Sequence, residues 1–281
     1  MRGAVVAFGA RHPFAILTGA IMTGPITTRA LALLFWITTG VIYLPIGVMA
    51  LFSFSSARYQ IVPIPAYTTE WYTRVFTDGQ YSAGFVNSIL LAATVSLAAT
   101  LIGFACAYSL INARFPGKTA FTLLVLAPLA VPLLLVGIAL RIWTTMLGLQ
   151  PSLPLAGLGQ VLYVLPLAVL NLRNRIAQLP KSHEEAAWAL GASRLRAIVD
   201  VILPACRAAL LATFILCFTF AFDEFVIAYF LTNFSVTLPI KIWTTLVTGF
   251  DPTINALGTM VFAFSLTLGV TAQWLLIRKD P

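Results

Sequence analysis

A chain of 281 residues that is 60% hydrophobic and only 9% charged, with a mean hydropathy of +0.95, is excluded from the water-soluble globular proteins. Its formal charge of +8 is dispersed over several short segments instead of forming one basic face interleaved with aromatics. That pattern argues against nucleic acid as a partner and assigns the charge to membrane topology and anionic lipid. The class implied is all-α: a polytopic protein of the lipid bilayer.

Residues 1–29 contain the apolar run 14–22, which is too short to span and follows Arg11, His12 and Pro13. They are expected to form a cytoplasmic or interfacial leader; a cleaved signal peptide is the alternative, but Arg29 directly precedes a full-length run that can itself direct insertion. A hydrocarbon core ~30 Å thick needs ~20 apolar helical residues. Six runs approach that length, at about residues 30–54, 85–111, 120–140, 155–172, 208–231 and 254–277. Residues 30–281 are therefore expected to form a single domain of six transmembrane helices.

Between the first two runs, Thr68 or Thr69 can cap a short amphipathic helix whose Trp71, Tyr72 and Phe76 suit the membrane interface. The second run carries Ala99, Gly103 and Ala107, a row of small residues that allows close helix approach, though small residues are common in such spans. Gly157, Gly159 and Pro166 interrupt the fourth, and Pro151 and Pro154 crowd its start. Residues 238–249 read as a short outer helix, and Asp251 with Pro252 as the cap and first residue of the last span.

Arg2, Arg11, Arg29, Arg114, Lys118, Arg173, Arg175, Lys181, Arg194, Arg196, Arg207, Arg278 and Lys279 fall on one side of these spans, and only Arg58, Arg74, Arg141 and Lys241 on the other. Basic loops stay in the cytoplasm, so both termini and the loop at about residues 173–207 are expected there. Cys106, Cys206 and Cys217 lack metal or disulfide spacing and read as packing residues.

The loop is the polar exception in an apolar chain. Ser182 and Glu185 have capping-box spacing, Gly191 reads as a helix stop and Ser193 as a second cap, so two short helices flank a glycine turn. Such a hairpin suits docking onto a soluble partner; the plainer reading is an ordinary helical hairpin. Its spacing resembles the EAA signature of ATP-binding-cassette (ABC) importer permeases: Glu185, Ala186 and Ala187, three residues, Gly191, nine residues, then Val201, Ile202, Leu203 and Pro204, with Val201 where the family usually has Ile. The resemblance implies a coupling helix seated in a groove of an ATPase subunit. Glu184, Glu185, Ala186, Ala187, Gly191, Ser193, Arg194 and Pro204 are the coupling residues expected on that basis.

Enzyme chemistry finds no support. Gly117, Lys118 and Thr119 look like the end of a phosphate-binding loop, but Asn112 stands where its leading glycine belongs and the flanks are membrane runs. Gly191 to Arg194 lacks the second glycine of an intramembrane serine protease site. His12 and His183 lie outside the spans, so no catalytic dyad, metal site or cofactor is expected.

Asp223 and Glu224 fall in the outer half of the fifth run, where acids are costly and usually face a bundle interior or a watery path. Neighbouring helical positions point ~100° apart, so one of the two is expected to line a path for a cationic solute. The competing readings are snorkelling to the interface and a structural ion pair, with Arg141 the candidate partner.

The C-terminal third, FTFAFDEFVIAYFLTN through TLPIKIWTTLVTGFDPTINAL, together with NSILLAATVSLAATLIG and the helix around Trp71, is similar to the second permease of spermidine/putrescine importers. That resemblance implies the type I ABC importer permease (MetI-like) fold in a prokaryotic cell membrane. Its expected partners are a homologous second permease, two ABC ATPase subunits and an extracytoplasmic solute-binding protein. Permeases for iron, phosphonates and amino-acid derivatives share much of the pattern and remain alternatives. A self-sufficient secondary transporter would explain the hydrophobicity but not the polar hairpin, and no inverted repeat is evident.

Overall fold

The computed structural model describes residues 25–233, 237–249 and 251–277. Residues 1–24, with most of the expected leader, and the C-terminal Arg278 and Lys279 lie outside them. The chain divides at Phe52. Its first unit, as described, is one helix, α1 (Pro25–Phe52), which carries Pro45 inside an otherwise continuous apolar run.

The second unit begins at Ser53. Its first helix, α2 (Glu70–Thr77), starts where Thr68 Oγ1 accepts the Glu70 N–H at 3.1 Å, so the cap comes from the earlier of the two threonines. Trp71 Nε1 donates to the Ser55 carbonyl at 2.7 Å and fixes the helix to the preceding strap. Asp78 then accepts from the Gln80 N–H at 2.8 Å and opens α3 (Gly79–Asn112).

Along α3, Leu90, Leu97 and Leu101 are exposed, whereas Leu91, Val95 and Ala99 are buried. An outward stripe of large apolar side chains is the signature of a lipid-facing surface. The inward stripe meets α6 (Leu153–Ala177), and the two helices come close at Gly103, where an added Cβ would lie 2.7 Å from Ala168 Cβ. Ala99 and Ala107 are fully buried on the same face. Without a hydrophobic driving force inside lipid, such close backbone packing is what holds helices together.

Three of the expected spans differ in detail from the sequence reading. The fourth, α6, is an uninterrupted helix of 25 residues. Pro154 sits in its first turn, where a missing N–H costs nothing. Gly159 is a packing notch: a Cβ there would lie 2.8 Å from Ile227 and 2.9 Å from Leu231. The third run is instead two helices, α4 (Lys118–Leu126, continued by a 3-10 turn to Leu129) and α5 (Leu133–Met146), bent by 104°. Pro128 and Pro132 flank the bend, and a proline both lacks a donor and pushes its predecessor out of the helical region.

The hairpin follows as α7 (Ser182–Ala189) and α8 (Arg194–Ala197), then a π turn over Ile198–Ile202 and the short α9 (Leu203–Ala205). Pro204 has no N–H to offer the Asp200 carbonyl, so the ladder is already broken at the site where the helix widens. After a 73° bend at Cys206 comes α10 (Arg207–Asp223). The fifth run breaks again, giving the six-residue α11 (Val226–Leu231). The outer helix α12 (Leu238–Thr248) and the last span α13 (Thr253–Ile277) complete the unit, with Asp251 accepting the Thr253 N–H at 2.9 Å.

Among the described residues, four helices are long and apolar enough to cross a membrane, and up to six spans result if each bent pair counts as one. Phe85, Phe218, Phe222 and Phe264 join α3, α10 and α13 through ring centroids 5.0 to 6.2 Å apart. A second cluster of Phe104, Leu172, Ile176, Ile202 and Cys206 fastens the hairpin end to α3 and α6.

Candidate functional site: the glycine hairpin and the acidic break

The polar hairpin is held rigidly at its base and is bare at its tip. Glu184 is buried and its Oε1 accepts from Tyr108 Oη at 2.6 Å, which ties α7 to the end of α3. Arg175 Nη2 donates to the Ala205 carbonyl at 3.0 Å and ties α6 to α9. A cleft of about 540 Å³ lies behind the hairpin, lined among others by Tyr108, Arg114, Lys181, Glu184, Glu185, Trp188 and Arg194.

Gly191 has φ +82°, a conformation that glycine adopts without strain. The Ala192 N–H reaches the Ala187 carbonyl at 2.9 Å and the Gly191 N–H reaches Trp188 O at 2.9 Å, the paired closure of a Schellman stop. Ser193 Oγ then accepts the Arg196 N–H at 3.3 Å and starts α8. The first cap differs from expectation. Ser182 is already inside α7 and makes no capping bond; the turn starts one residue earlier, where Pro180 and Lys181 carbonyls take the His183 and Glu184 N–H groups.

Around this turn Glu185, Ala186, Gly191, Ser193, Arg194 and Pro204 are exposed, and Ala187 is half-buried. Leu190 is 90% exposed and Leu195 71% exposed, with Trp188 beside them. Bare apolar side chains on a polar, rigidly based hairpin are what a protein partner's groove covers. The sequence reading missed Leu190, Leu195 and the Tyr108 tether, although a leucine on each side of a helix-stopping glycine is a visible signal.

Gly117, at φ +79°, caps the start of α4 after the short link 113–116 that follows α3, and Lys118 Nζ folds back to the Ala113 carbonyl at 3.2 Å. With membrane helices on both flanks and its ammonium on local backbone, Lys118 has no phosphate cradle. In a complex with the ATPase that the sequence resemblance implies, Lys118→Ala is expected to leave ATP hydrolysis within about twofold of wild type. Loss of nucleotide binding by folded Lys118→Ala protein is the result that contradicts this.

At the break in the fifth run the two acids part company. Glu224 is 5% exposed and caps α11. Its Oε1 accepts the Ile227 N–H at 2.7 Å, and its Oε2 accepts the Ala228 N–H at 3.1 Å and Gln160 Nε2 at 2.8 Å. Asp223, the last residue of α10, is exposed and accepts from Ser265 Oγ at 3.0 and 3.3 Å. Arg141 is not the partner expected of it. Among the described residues it forms no ion pair with either acid, and its Nη1 is buried without a hydrogen bond. Glu224 is satisfied instead by α6 and by the helix it caps.

Over residues 99–278 the sequence matches the family of binding-protein-dependent transport system inner membrane components. The chain belongs to this permease family. The permease is 30% identical over 240 residues to the spermidine/putrescine transport system permease protein PotC of Escherichia coli (strain K12), covering 85% of this chain and 90% of that relative. It is 28% identical over 247 residues to the putrescine transport system permease protein PotI of the same strain, covering 85% and 88%. Its fold matches a solved bacterial ABC transporter involved in the import of the acidic polysaccharide alginate, with TM-score 0.67 at 18% identity and coverage of 91% and 97%.

The permease therefore has the type I ABC importer permease fold and is a multi-pass inner-membrane component of binding-protein-dependent transport. It is a non-catalytic subunit, and membership in the family implies an ATPase and a periplasmic binding protein as its partners.

Proposed function

We propose that this permease forms half of the translocation path for a polyamine, spermidine or putrescine, and works by alternating access with a homologous second permease. The observation that carries the substrate reading is the similarity to PotC, 30% identity across 85% of the chain. Two ATPase subunits drive the cycle, and the solute-binding protein delivers the amine from the outer side. Both termini and the hairpin lie in the cytoplasm, in keeping with the basic residues Arg114, Lys181, Arg194 and Arg196 on that side.

In this reading Glu184, Glu185, Ala186, Ala187, Gly191, Ser193, Arg194 and Pro204 form the ATPase-coupling segment, with Leu190 and Leu195 as its apolar contact. A coupled shift needs differential contact in the two states, and a rigid hairpin tied to α3 and α6 transmits it as a body. Asp223 and Glu224 sit where the path would pass between the permeases.

The test is reconstitution of the permease with its second permease, ATPase and binding protein in proteoliposomes. ATP-dependent uptake of labelled putrescine or spermidine is the expected result, with competition by unlabelled amine. A binding protein that delivers only a neutral or anionic solute overturns the substrate assignment while leaving the permease assignment intact.

A further inference from the structure

We propose that the cleft behind the hairpin binds the phosphate headgroup of an anionic phospholipid, which straps the hairpin to the inner ends of α3 and α4; this rests on the cytoplasmic placement of the hairpin given above and is independent of the solute carried. The walls of the cleft come from the end of α3, the link to α4 and the hairpin itself.

Its charge selects the sign of the ligand. Four cations line it, Arg114, Lys118, Lys181 and Arg194, against two acids, Glu184 and Glu185. Glu184 is already engaged by Tyr108 Oη at 2.6 Å, and Lys118 by the Ala113 carbonyl at 3.2 Å. Three cations then face one acid. Among the described residues, the side chains of Arg114, Lys181 and Arg194 hold no ion pair and no hydrogen bond. A guanidinium presents its donors as a planar fork that fits a phosphate bidentately, and an ammonium adds three more donors. Two forks and an ammonium around one opening suit a phosphate ester.

The surface beside the cleft selects a lipid as the source of that phosphate. The outward leucines of α3 face hydrocarbon, and α3 ends at Asn112 in the wall of the cleft, so the opening lies where hydrocarbon gives way to headgroups. From there α4 leads back into the apolar zone. Leu123 and Leu124 are exposed on it five and six residues past Lys118, ~8 Å along the helix. Phe115 in the link is exposed too, with its ring edge-on to Phe121 at 6.0 Å. Cations at the opening and an apolar strip about one and a half turns deeper reproduce the layout of a phospholipid: phosphate to the arginines, acyl chain to the leucines. A soluble anion would use only the first. The volume, about 540 Å³, falls within the ~300–1,000 Å³ range of ligand sites.

A phosphate held between Arg114 of the link and Lys181 and Arg194 of the hairpin adds a second tie beside the bond from Tyr108 to Glu184. Coupled ATP hydrolysis thereby becomes dependent on the lipid.

The experiment uses the assembled transporter. In neutral detergent it is titrated with fluorescent phosphatidylglycerol; in phosphatidylcholine vesicles, with and without phosphatidylglycerol, substrate-stimulated ATP hydrolysis and complex recovery are read. Wild type is expected to bind the lipid saturably and to hydrolyse at least about threefold faster in its presence. Arg114→Gln combined with Lys181→Gln should weaken binding roughly thirtyfold and abolish the stimulation, with recovery unchanged. Arg173→Gln combined with Arg207→Gln removes the same charge from the same side of the membrane but outside the cleft, and should leave both within about twofold of wild type. An equal loss in that second pair overturns the site, because diffuse attraction to the basic surface then accounts for the binding, and so does a wild type that binds without saturation. Equal stimulation by inorganic phosphate in phosphatidylcholine vesicles also overturns it, since the ligand is then a soluble anion. Loss of the ATPase from the Arg114→Gln, Lys181→Gln complex in every lipid makes the cleft a protein contact instead.

Discussion

Glu224→Ala is expected to lower the melting midpoint of the purified permease sharply and to reduce recovery of the assembled transporter several-fold. Alanine strands the Ile227 and Ala228 N–H groups and the Gln160 amide together, all buried and all now served by one carboxylate. Each stranded donor costs roughly 1–3 kcal/mol, so the total reaches several kcal/mol even when repacking recovers part of it. Glu224→Gln should behave differently. One oxygen remains for a backbone donor, and Gln160 Oε1, which has no partner in the native protein, can turn to accept the new amide. A wild-type midpoint for Glu224→Ala, or an equal loss for Glu224→Gln, would show that the acid does not hold the break.

Gly191→Leu should cut transport more than tenfold and depress substrate-stimulated ATP hydrolysis in parallel, while the permease still folds. Among the described residues, and apart from its immediate chain neighbours, nothing lies within 4 Å of a Cβ added at Gly191, so internal crowding is not the cause. The cost has two sources: a φ of +82° that a leucine adopts only with ~1–2 kcal/mol of strain, and a bulky side chain set on the face proposed above to meet the ATPase. Asparagine tolerates the left-handed region, so Gly191→Asn should retain more coupling than leucine does. Full coupled hydrolysis by an assembled Gly191→Leu complex would remove the hairpin from the ATPase interface.

How much of this was legible in the sequence depended on whether a feature left a chemical mark. The apolar runs behind α1, α3 and α13 are long and uniform, and their positions followed from length alone. The glycine stop at Gly191 and the caps at Ser193 and Asp251 were legible because each uses a residue type with a specific backbone role. The bend at residues 224–225 was not, since both halves of the run are equally apolar and hydropathy averages across a break; Pro128 and Pro132 did mark the bend at 127–132, and a reading by hydropathy alone passed over them. Gly159 misled in the other direction: a residue that usually punctuates a helix here lets Ile227 and Leu231 approach it. Asp223 and Glu224 were indistinguishable as acids. Only the break between them, with Glu224 three residues before Ile227 in a capping relation, assigns one to structure and leaves the other open.

The short α11 carries a consequence for how the permease is made. Its six residues give ~9 Å of rise, far less than a bilayer's hydrocarbon core, so it cannot enter lipid as an independent segment. Its start is tied to α6 by the bond between Glu224 and Gln160, and its end by the Ser152 N–H donating to the Leu231 carbonyl at 2.8 Å. Ser152 is itself the cap of α6. The ribosome releases α6 some fifty residues before α11, a gap of about 49 positions between Ala177 and Val226. Order of synthesis thus delivers the berth before the piece that must dock in it, and the polar ends of α11 need never face hydrocarbon unpaired.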